Sequence, residues 1–461
     1  MKTSRSSIPF TALAATIATL LFSGCSNTSD SATATSKPNI IFIMADDLGY
    51  GDLGSYGQTV IQTPNLDQMA IEGLRFTNCY AGSTVCAPSR SVLMTGLHTG
   101  HTTVRGNFGK FGVVGLAGGE GRVPLNASDV TLAEVLKEAG YTTGMTGKWG
   151  LGEPNTSGHP NDQGFDEWFG YLNQRRAHSY FPDYIWKNKN KYLLPKNRNG
   201  RKGTYTHDLF TEFALDFIGR HKKDPFFLYL PYTIPHDRYE IPDTAPYSDQ
   251  PWTDDEKVHA AMITRLDRDI GALFQSLKDL KLDENTIVFF CSDNGAAKRW
   301  QGRFDSSGAL RGHKRDMYEG GLRTPMIVRW PGQVAAGETN DTAWYFADAL
   351  PTFAEIAGLK APSGIDGVSV LPTILGNKQD LSNRVLYWEF FESGFQQAVR
   401  QGDWKAIRMA PGKPLELYDL SKDESESENI AESNPEIIAK MEAVLKTVRT
   451  PSDNWPVEEL D

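Results

Sequence analysis

"KPNIIFIMADDLGYGDLG", residues 37–54, decides the fold. Its core, NIIFIMA, is an unbroken apolar run, as expected of a strand covered on both faces in a parallel sheet. The run stops at Asp46 and Asp47, and glycines follow. The same pattern recurs downstream. "TPNLDQMAIEGLRF" predicts a helix with Thr63 as N-cap, Pro64 at its first position and Gly73 as its stop. "VTLAEVLKEAGYTTGMTGKWG" opens on a capping box from Thr131 to Glu134 and runs an apolar stripe through Leu132, Val135, Leu136 and Ala139. It then passes into a strand that ends at Lys148. The helix "HDLFTEFALDFIGRH" precedes the strand "PFFLYLPY" and then His236. The helix "AAMITRLDRDIGALFQSLKDL" precedes the strand "TIVFFCS" and then Asp293 and Asn294. Helices alternate with apolar strands, and each strand ends in charged or hydrogen-bonding residues. The expected fold class is α/β, a large, mostly parallel sheet flanked by helices, with a site beyond the carboxyl ends of its strands.

Past about residue 375 the texture changes. "RVLYWEFF", "QQAVRQGDWKAIRM" and "PLELYDL" read as short strands joined by turns, and "NPEIIAKMEAVLKTVRT" as a closing helix. We expect a main domain at 38–375 and a smaller C-terminal α+β subdomain with an antiparallel sheet at 376–461. At the other end, Lys2 and Arg5 precede "FTALAATIATLLF", an apolar run too short to span comfortably, and then "SGC". "LFSGC" resembles the lipobox of bacterial lipoproteins, with an ordinary secretory signal as the alternative. On the lipobox reading, residues 1–25 are a signal whose Cys25 becomes lipidated, and 26–37 are a flexible polar tether. The domain would then be exported and membrane-anchored, periplasmic or at the cell surface. A net charge of −10 implies no general affinity for nucleic acid or for an anionic membrane surface. Any groups that bind an anion must therefore be local.

Three cysteines remain in the body of the chain, so at least one is unpaired even where disulfides are permitted. Cys291 lies inside an apolar run and reads as a buried, inert thiol, and Cys79 can be the same. Cys86, in "STVCAPSRSVLMTG", has special flanks and begins a predicted helix. Asp46, Asp47, Asp293 and Asn294 offer oxygen donors only, which suits Ca²⁺ or Mg²⁺ rather than zinc. Taken singly, "DD" and "DNG" are also ordinary turn sequences. Arg90, Lys148 and Lys314 are candidates to hold a tetrahedral oxyanion. His236 is a candidate general acid, with a structural histidine as the alternative.

"CAPSRSVLMTG" followed by "HTGHTTVRGN" closely resembles the signature of type I sulfatases, within the alkaline-phosphatase superfamily. "PNIIFIMADDLGYGDLG", "GYTTGMTGKWGLG", "CSDNG", "GHKRDMYEGGLRTPMIVRWPG" and "LYDLSKDESESENIAE" extend the likeness, in family order, from about residue 38 to the end. The resemblance implies an alkaline-phosphatase-like sheet and the hydrolysis of sulfate esters. It implies that Cys86 is oxidised by a formylglycine-generating maturation enzyme, and that the hydrated aldehyde, bound to Ca²⁺, attacks sulfur. It implies Asp46, Asp47, Asp293, Asn294 and the modified Cys86 as Ca²⁺ ligands. Arg90 resembles the arginine that holds the formylglycine, Lys148 and Lys314 the sulfate-binding lysines, and His236 the histidine near the leaving oxygen. One position departs: many sulfatases read Gly-Lys-Trp-His-Leu-Gly where this chain has "GKWGLG", so Gly150 replaces a histidine.

"GYLNQRRAHSYFPDYIWKNKNKY", residues 170–192, mixes arginines, a histidine and aromatic rings. Such a mixture can grip a sugar, with rings on its apolar face and Arg or His on its hydroxyls. A structural insertion with a solvated basic edge is the alternative. The stretch resembles bacterial carbohydrate sulfatases acting on sulfated galactose or N-acetylgalactosamine. His178, with Arg175 or Arg176, is the expected sugar-binding set. Two rival functions are a phosphatase or phosphodiesterase of the same superfamily and a non-enzymatic glycan-binding lipoprotein. The first usually carries Thr or Ser as nucleophile and two zinc ions. The otherwise complete reacting set opposes the second.

Overall fold

The computed structural model describes residues 37–118 and 121–460, together with Ser7 and Pro9. The expected lipidation site Cys25 and nearly all of the leader and tether lie outside the described residues. Fifteen strands are present among the described residues: β1 Asn39–Ala45, β2 Leu74–Tyr80, β3 Thr142–Lys148, β4 Glu167–Tyr171, β5 Tyr184–Lys187, β6 Asn190–Leu193, β7 Phe226–Pro231, β8 Thr286–Ser292, β9 Arg323–Arg329, β10 Glu338–Asn340, β11 Trp344–Tyr345, β12 Val385–Phe390, β13 Gln396–Gln401, β14 Trp404–Arg408 and β15 Glu416–Asp419. The helices are α1 Pro64–Glu72, α2 Cys86–Thr95, α3 Leu132–Glu138, α4 Thr206–His221, α5 Asp254–Asp279, α6 Glu319–Leu322, α7 Ala349–Ile356, α8 Leu371–Ile374 and α9 Pro435–Leu445.

Eleven strands form one sheet in the order β10-β2-β9-β8-β1-β7-β3-β4-β5-β6, with β11 pairing to β2. Its centre, β8-β1-β7-β3-β4, is parallel throughout. The apolar run of β1 sits in the middle with every residue buried, as an unalternating sequence requires. Its side chains divide between two cores, Ile40, Phe42 and Met44 on one face and Ile41, Ile43 and Ala45 on the other. The capping box at Thr131 and Glu134 is formed, and a second one at Thr253 and Glu256 starts α5 earlier than its apolar stripe suggested. Thr63 does not cap α1 as expected: its hydroxyl instead bonds the Asp67 carboxylate and accepts from the Gly54 amide.

β9 runs antiparallel to both β8 and β2. Its amino end therefore lies at the same sheet edge as the carboxyl ends of β1, β2, β3, β7 and β8. Beyond it, β12–β15 form a four-stranded antiparallel sheet. Both faces of that sheet are covered. Leu386, Trp388, Ala398, Ile407 and Tyr418 join the main core, while their neighbours Tyr387, Val399, Ala406 and Leu417 pack with Met441 and Leu445 of α9.

Candidate active site

One sheet edge gathers the candidate reacting side chains that the sequence pointed to. β1 runs directly into Asp46 and Asp47, and Asp47 turns the chain through a left-handed conformation (φ 66°) that aspartate tolerates better than most residues. Gly49 then passes so close to the 306 carbonyl that a Cβ would stand 2.0 Å from it, which fixes glycine there. β8 delivers Asp293 and Asn294 beside them, and the Asp47 amide donates to Asp293 Oδ1 at 3.2 Å. β3 delivers Lys148, whose Nζ lies 2.6 Å from Asp46 Oδ2. Lys314 arrives ahead of the antiparallel β9, with Nζ 2.7 Å from Asp47 Oδ2 and 3.8 Å from Cys86 Sγ.

The segment after β2 leads to α2, whose first residue is Cys86. The Cys86 thiol lies 3.5 Å from Asp46 Oδ1. Arg90, one turn along on the same helix face, donates to Asp293 Oδ2 at 2.7 and 3.2 Å and to the Lys148 carbonyl at 2.5 Å. Its hydrogen bonds among the described residues thus hold the acidic set and the lysine strand, not Cys86 itself. All ten residues of α2 are buried. Cys79 and Cys291 are buried free thiols, pushed up in pKa by that burial.

Electrostatics follow from burying this set together. Burial pushes the Asp46 carboxyl up, but Lys148, His236, Arg90 and Lys314 outweigh it and hold it far below its usual range. Asp293 is raised, first by burial and then by the Asp46 charge. His236 loses proton affinity to burial, yet the Asp47 and Asp46 carboxylates more than restore it and lift it to about 10. Its Nδ1 lies 2.6 Å from the 237 carbonyl and its Nε2 lies 3.3 Å from Lys314 Nζ. An imidazolium whose Nδ1–H is anchored and whose Nε2 meets the reacting set is suited to give up a proton there.

A cavity of about 270 Å³ opens over this floor, lined by Cys86, Lys148, His236 and Lys314, with Arg175 and His178 at its wall. His178 lies ring to ring with His236 at 4.4 Å, and Asp237 Oδ1 lies 3.4 Å from one and 3.1 Å from the other. Burial, then the cationic His236 and Lys148, bring His178 down to about 4, so it is a neutral imidazole. Arg176 is not brought to this cavity. Its guanidinium stacks 3.8 Å from the Tyr184 ring centre and bonds Asp183, so of the two arginines only Arg175 is placed with His178. Asn107, Arg122, Gln174 and Arg315 also line the cavity and were not singled out in the sequence. "VRGN" carried the only signal for Asn107, whose side-chain oxygen accepts from the Ala87 amide in the first turn of α2. A second cavity, of about 300 Å³ near Arg384 and Arg400, has no comparable reacting set, and its Arg384 is committed to Asp348.

The oxygen donors fit a hard divalent cation. Asn294 spends its amide nitrogen on Asp47 Oδ1 (2.8 Å) and the 295 carbonyl (2.9 Å). That fixes the orientation of the amide and leaves Oδ1 buried without a hydrogen-bond partner among the described residues. Donor atoms of Asp46, Asp47, Cys86 and His236 all lie within 4.8 Å of one another. Three carboxylates and a fixed amide oxygen are the donor chemistry of Ca²⁺.

The fold and this edge define a hydrolase of oxyanion esters, and the comparisons say which. The sulfatase family matches residues 38–359, and the family described as N-sulphoglucosamine sulphohydrolase, C-terminal, matches 312–451. The chain belongs to the sulfatase family and is a sulfuric ester hydrolase. It is 35% identical over 396 residues to the N-acetylgalactosamine-6-sulfatase of Canis lupus familiaris, across 81% of this chain and 72% of that protein. It is 31% identical over 522 residues to the N-acetylgalactosamine-6-O-sulfatase of Bacteroides thetaiotaomicron, across 93% of this chain and 97% of that one. Among solved structures, Ps i-CgsB in complex with k-i-k-neocarrahexaose is similar with a TM-score of 0.78 at 29% identity, covering 91% of this chain and 94% of that chain.

Proposed function

We propose that this sulfatase removes sulfate from galactose or N-acetylgalactosamine units of sulfated glycans, with formylglycine derived from Cys86 as its nucleophile. The observation that carries the reading is the place of Cys86, at the cavity floor between Asp46 and Lys314. Asp46, Asp47, Asp293, Asn294 and the converted residue 86 would hold Ca²⁺. When bound, such an ion would supply Lewis acidity and favour a hard oxygen nucleophile, the formylglycine hydrate, at neutral pH. Lys148 and Lys314 bind the sulfuryl oxygens and offset the charge that builds on them. His236 holds the proton at Nε2 that passes to the leaving sugar oxygen. His178, held neutral, and Arg175 meet the sugar. The family names of the two curated relatives support the sugar class. The leader ending at Cys25 adds an exported, lipid-anchored location, which suits work on external glycans.

The test has two parts. Peptide mass spectrometry across residue 86, on protein from a host with the maturation enzyme, is expected to find the aldehyde in place of the thiol. Desulfation of a panel of sulfated monosaccharides is expected to favour galacto-configured sugars. His178→Ala is expected to erode that preference about 10- to 100-fold. An intact cysteine in active protein sinks the nucleophile, and equal rates across the panel sink the substrate.

A further inference from the structure

Gly150 has a φ of +84°, a conformation that side-chain-bearing residues rarely adopt. A Cβ built on it would fall 2.2 Å from Nε2 of Gln174 and 3.0 Å from the carboxamide carbon. The space beside residue 150 is therefore taken by an amide arriving from the segment after β4. Gln174 is only 6% exposed and lines the cavity together with Cys86, Lys148 and Lys314. Among the described residues neither its Nε2 nor its Oε1 has a hydrogen-bond partner. Several other buried amides lack a partner at one end. Gln174 alone of those side chains lacks one at both. Burying a carboxamide with no bonds made is costly, and such a group calls for an explanation in terms of what completes it.

We propose that Gln174 is a substrate-binding residue of this site, whose carboxamide donates hydrogen bonds to a sulfuryl oxygen from the position a side chain at residue 150 would otherwise command. The inference rests on the desulfation reading above. It gives the cavity a neutral donor in addition to its lysines. An amide neither takes nor releases a proton in the working range, so it grips oxygen without altering the charge balance of the site. The proton transfers are left to His236.

The test is calorimetric titration of the full chain with inorganic sulfate, alongside the KM for a sulfate ester. Gln174→Met keeps length and removes both polar ends, and Gln174→Glu keeps shape and sets a carboxylate against the anion. Sulfate affinity is expected to fall about tenfold in the first and further in the second, with KM rising in parallel. The melting temperature of Gln174→Met without sulfate is expected to equal or exceed that of the unaltered chain. Unchanged sulfate affinity in either folded variant overturns the proposal, including the case in which the amide serves only residue 86. Gln174→Glu carries the test alone if the Met variant does not fold. If the unaltered chain neither binds sulfate nor cleaves any sulfate ester, the desulfation reading itself has failed.

Discussion

At the sheet edge, Asp46, Asp47 and Asp293 are buried with Arg90, Lys148 and Lys314. Between the two sheets, Glu319 and Glu426 are buried with Lys405, whose Nζ lies 2.8 Å from each. The second cluster is as deep as the first. Burial raises Glu319, but Lys405, Arg323 and Arg400 outweigh it, while Glu426 is raised by burial and by Glu319. Tyr80 donates to Glu319 at 2.6 Å, and the 319 amide donates to Glu426 at 2.6 Å. What separates the two is the surroundings of the charges. The inter-sheet cluster fastens β14 to α6, and only its Arg400 reaches a cavity, the one beside Arg384, while Lys405, Glu319 and Glu426 line none of those described. The edge cluster sets Lys148 and Lys314 on a cavity floor and keeps the Asn294 oxygen and the Gln174 amide without any partner among the described residues, whereas Glu426 Oε1 is met by Lys405 at 2.8 Å. Buried charge alone does not mark a site. Buried charge beside a cavity, with bonds left to make, does.

Four perturbations separate the two clusters, in order of expected effect. Cys86→Ala touches only the edge, so kcat/KM is expected to fall by at least about 10⁴-fold with the fold kept. Activity surviving that change in a maturation-competent host would end the assignment. Lys405→Met touches only the inter-sheet cluster and leaves two buried carboxylates. Denaturant unfolding is expected to show a loss of about 3–5 kcal/mol, while kcat per folded molecule stays unchanged. Lys314→Met should do the reverse, lowering kcat/KM about 10²- to 10³-fold with the smaller stability cost of the two. Ca²⁺ at a hundredfold excess over its Kd should stabilise the unaltered chain and Lys405→Met alike, by about 2.7 kcal/mol. A cation effect confined to one of the two would mean the clusters are not independent.

A lone buried carboxyl gives the smallest and finest test. Asp52 accepts from the Gly49 amide at 2.7 Å and from the Ser306 hydroxyl at 2.5 Å, with no cation beside it among the described residues. Burial, only partly offset by those bonds, raises it from 3.8 to about 7. The unfolded chain gives up this proton near pH 3.8 and the folded chain near pH 7. Its contribution is complete below the first value, declines as pH rises towards the second, and is flat above. The carboxamide introduced by Asp52→Asn cannot ionise, so the variant's melting temperature should gain on that of the unaltered chain across this window. A constant difference across it would show that Asp52 is ionised in the fold.

Much of this was legible in the chain because strand ends announce themselves. An apolar run followed at once by Asp46, by Lys148, by His236 or by Asp293 carries both the strand and the residue it presents. Strand direction has no such signal. "RTPMIVR" is equally apolar read either way, and only its pairing with β8 and β2 makes β9 antiparallel and brings Lys314 to the edge. Local spacing could not choose between Arg175 and Arg176. Adjacent residues point apart, and Tyr184, which captures the second, pairs by a hairpin that composition does not specify. Gln174 lay inside the quoted stretch 170–192 but carried no signal of its own. A glutamine in a loop is ordinary until Gly150 is seen to leave room for it.

Cys86 is 4% exposed and opens a helix whose ten residues are all buried, Pro88 and Arg90 among them. On the proposed reading, this imposes a chronology. Once β2, α2 and β9 have closed, an enzyme that must grip the chain around residue 86 has nothing to grip. Conversion must therefore come first and folding second, so export and maturation compete for the same brief interval. Molecules that fold too early would be well formed and permanently silent, and adding maturation enzyme to the folded, unconverted protein would not wake them.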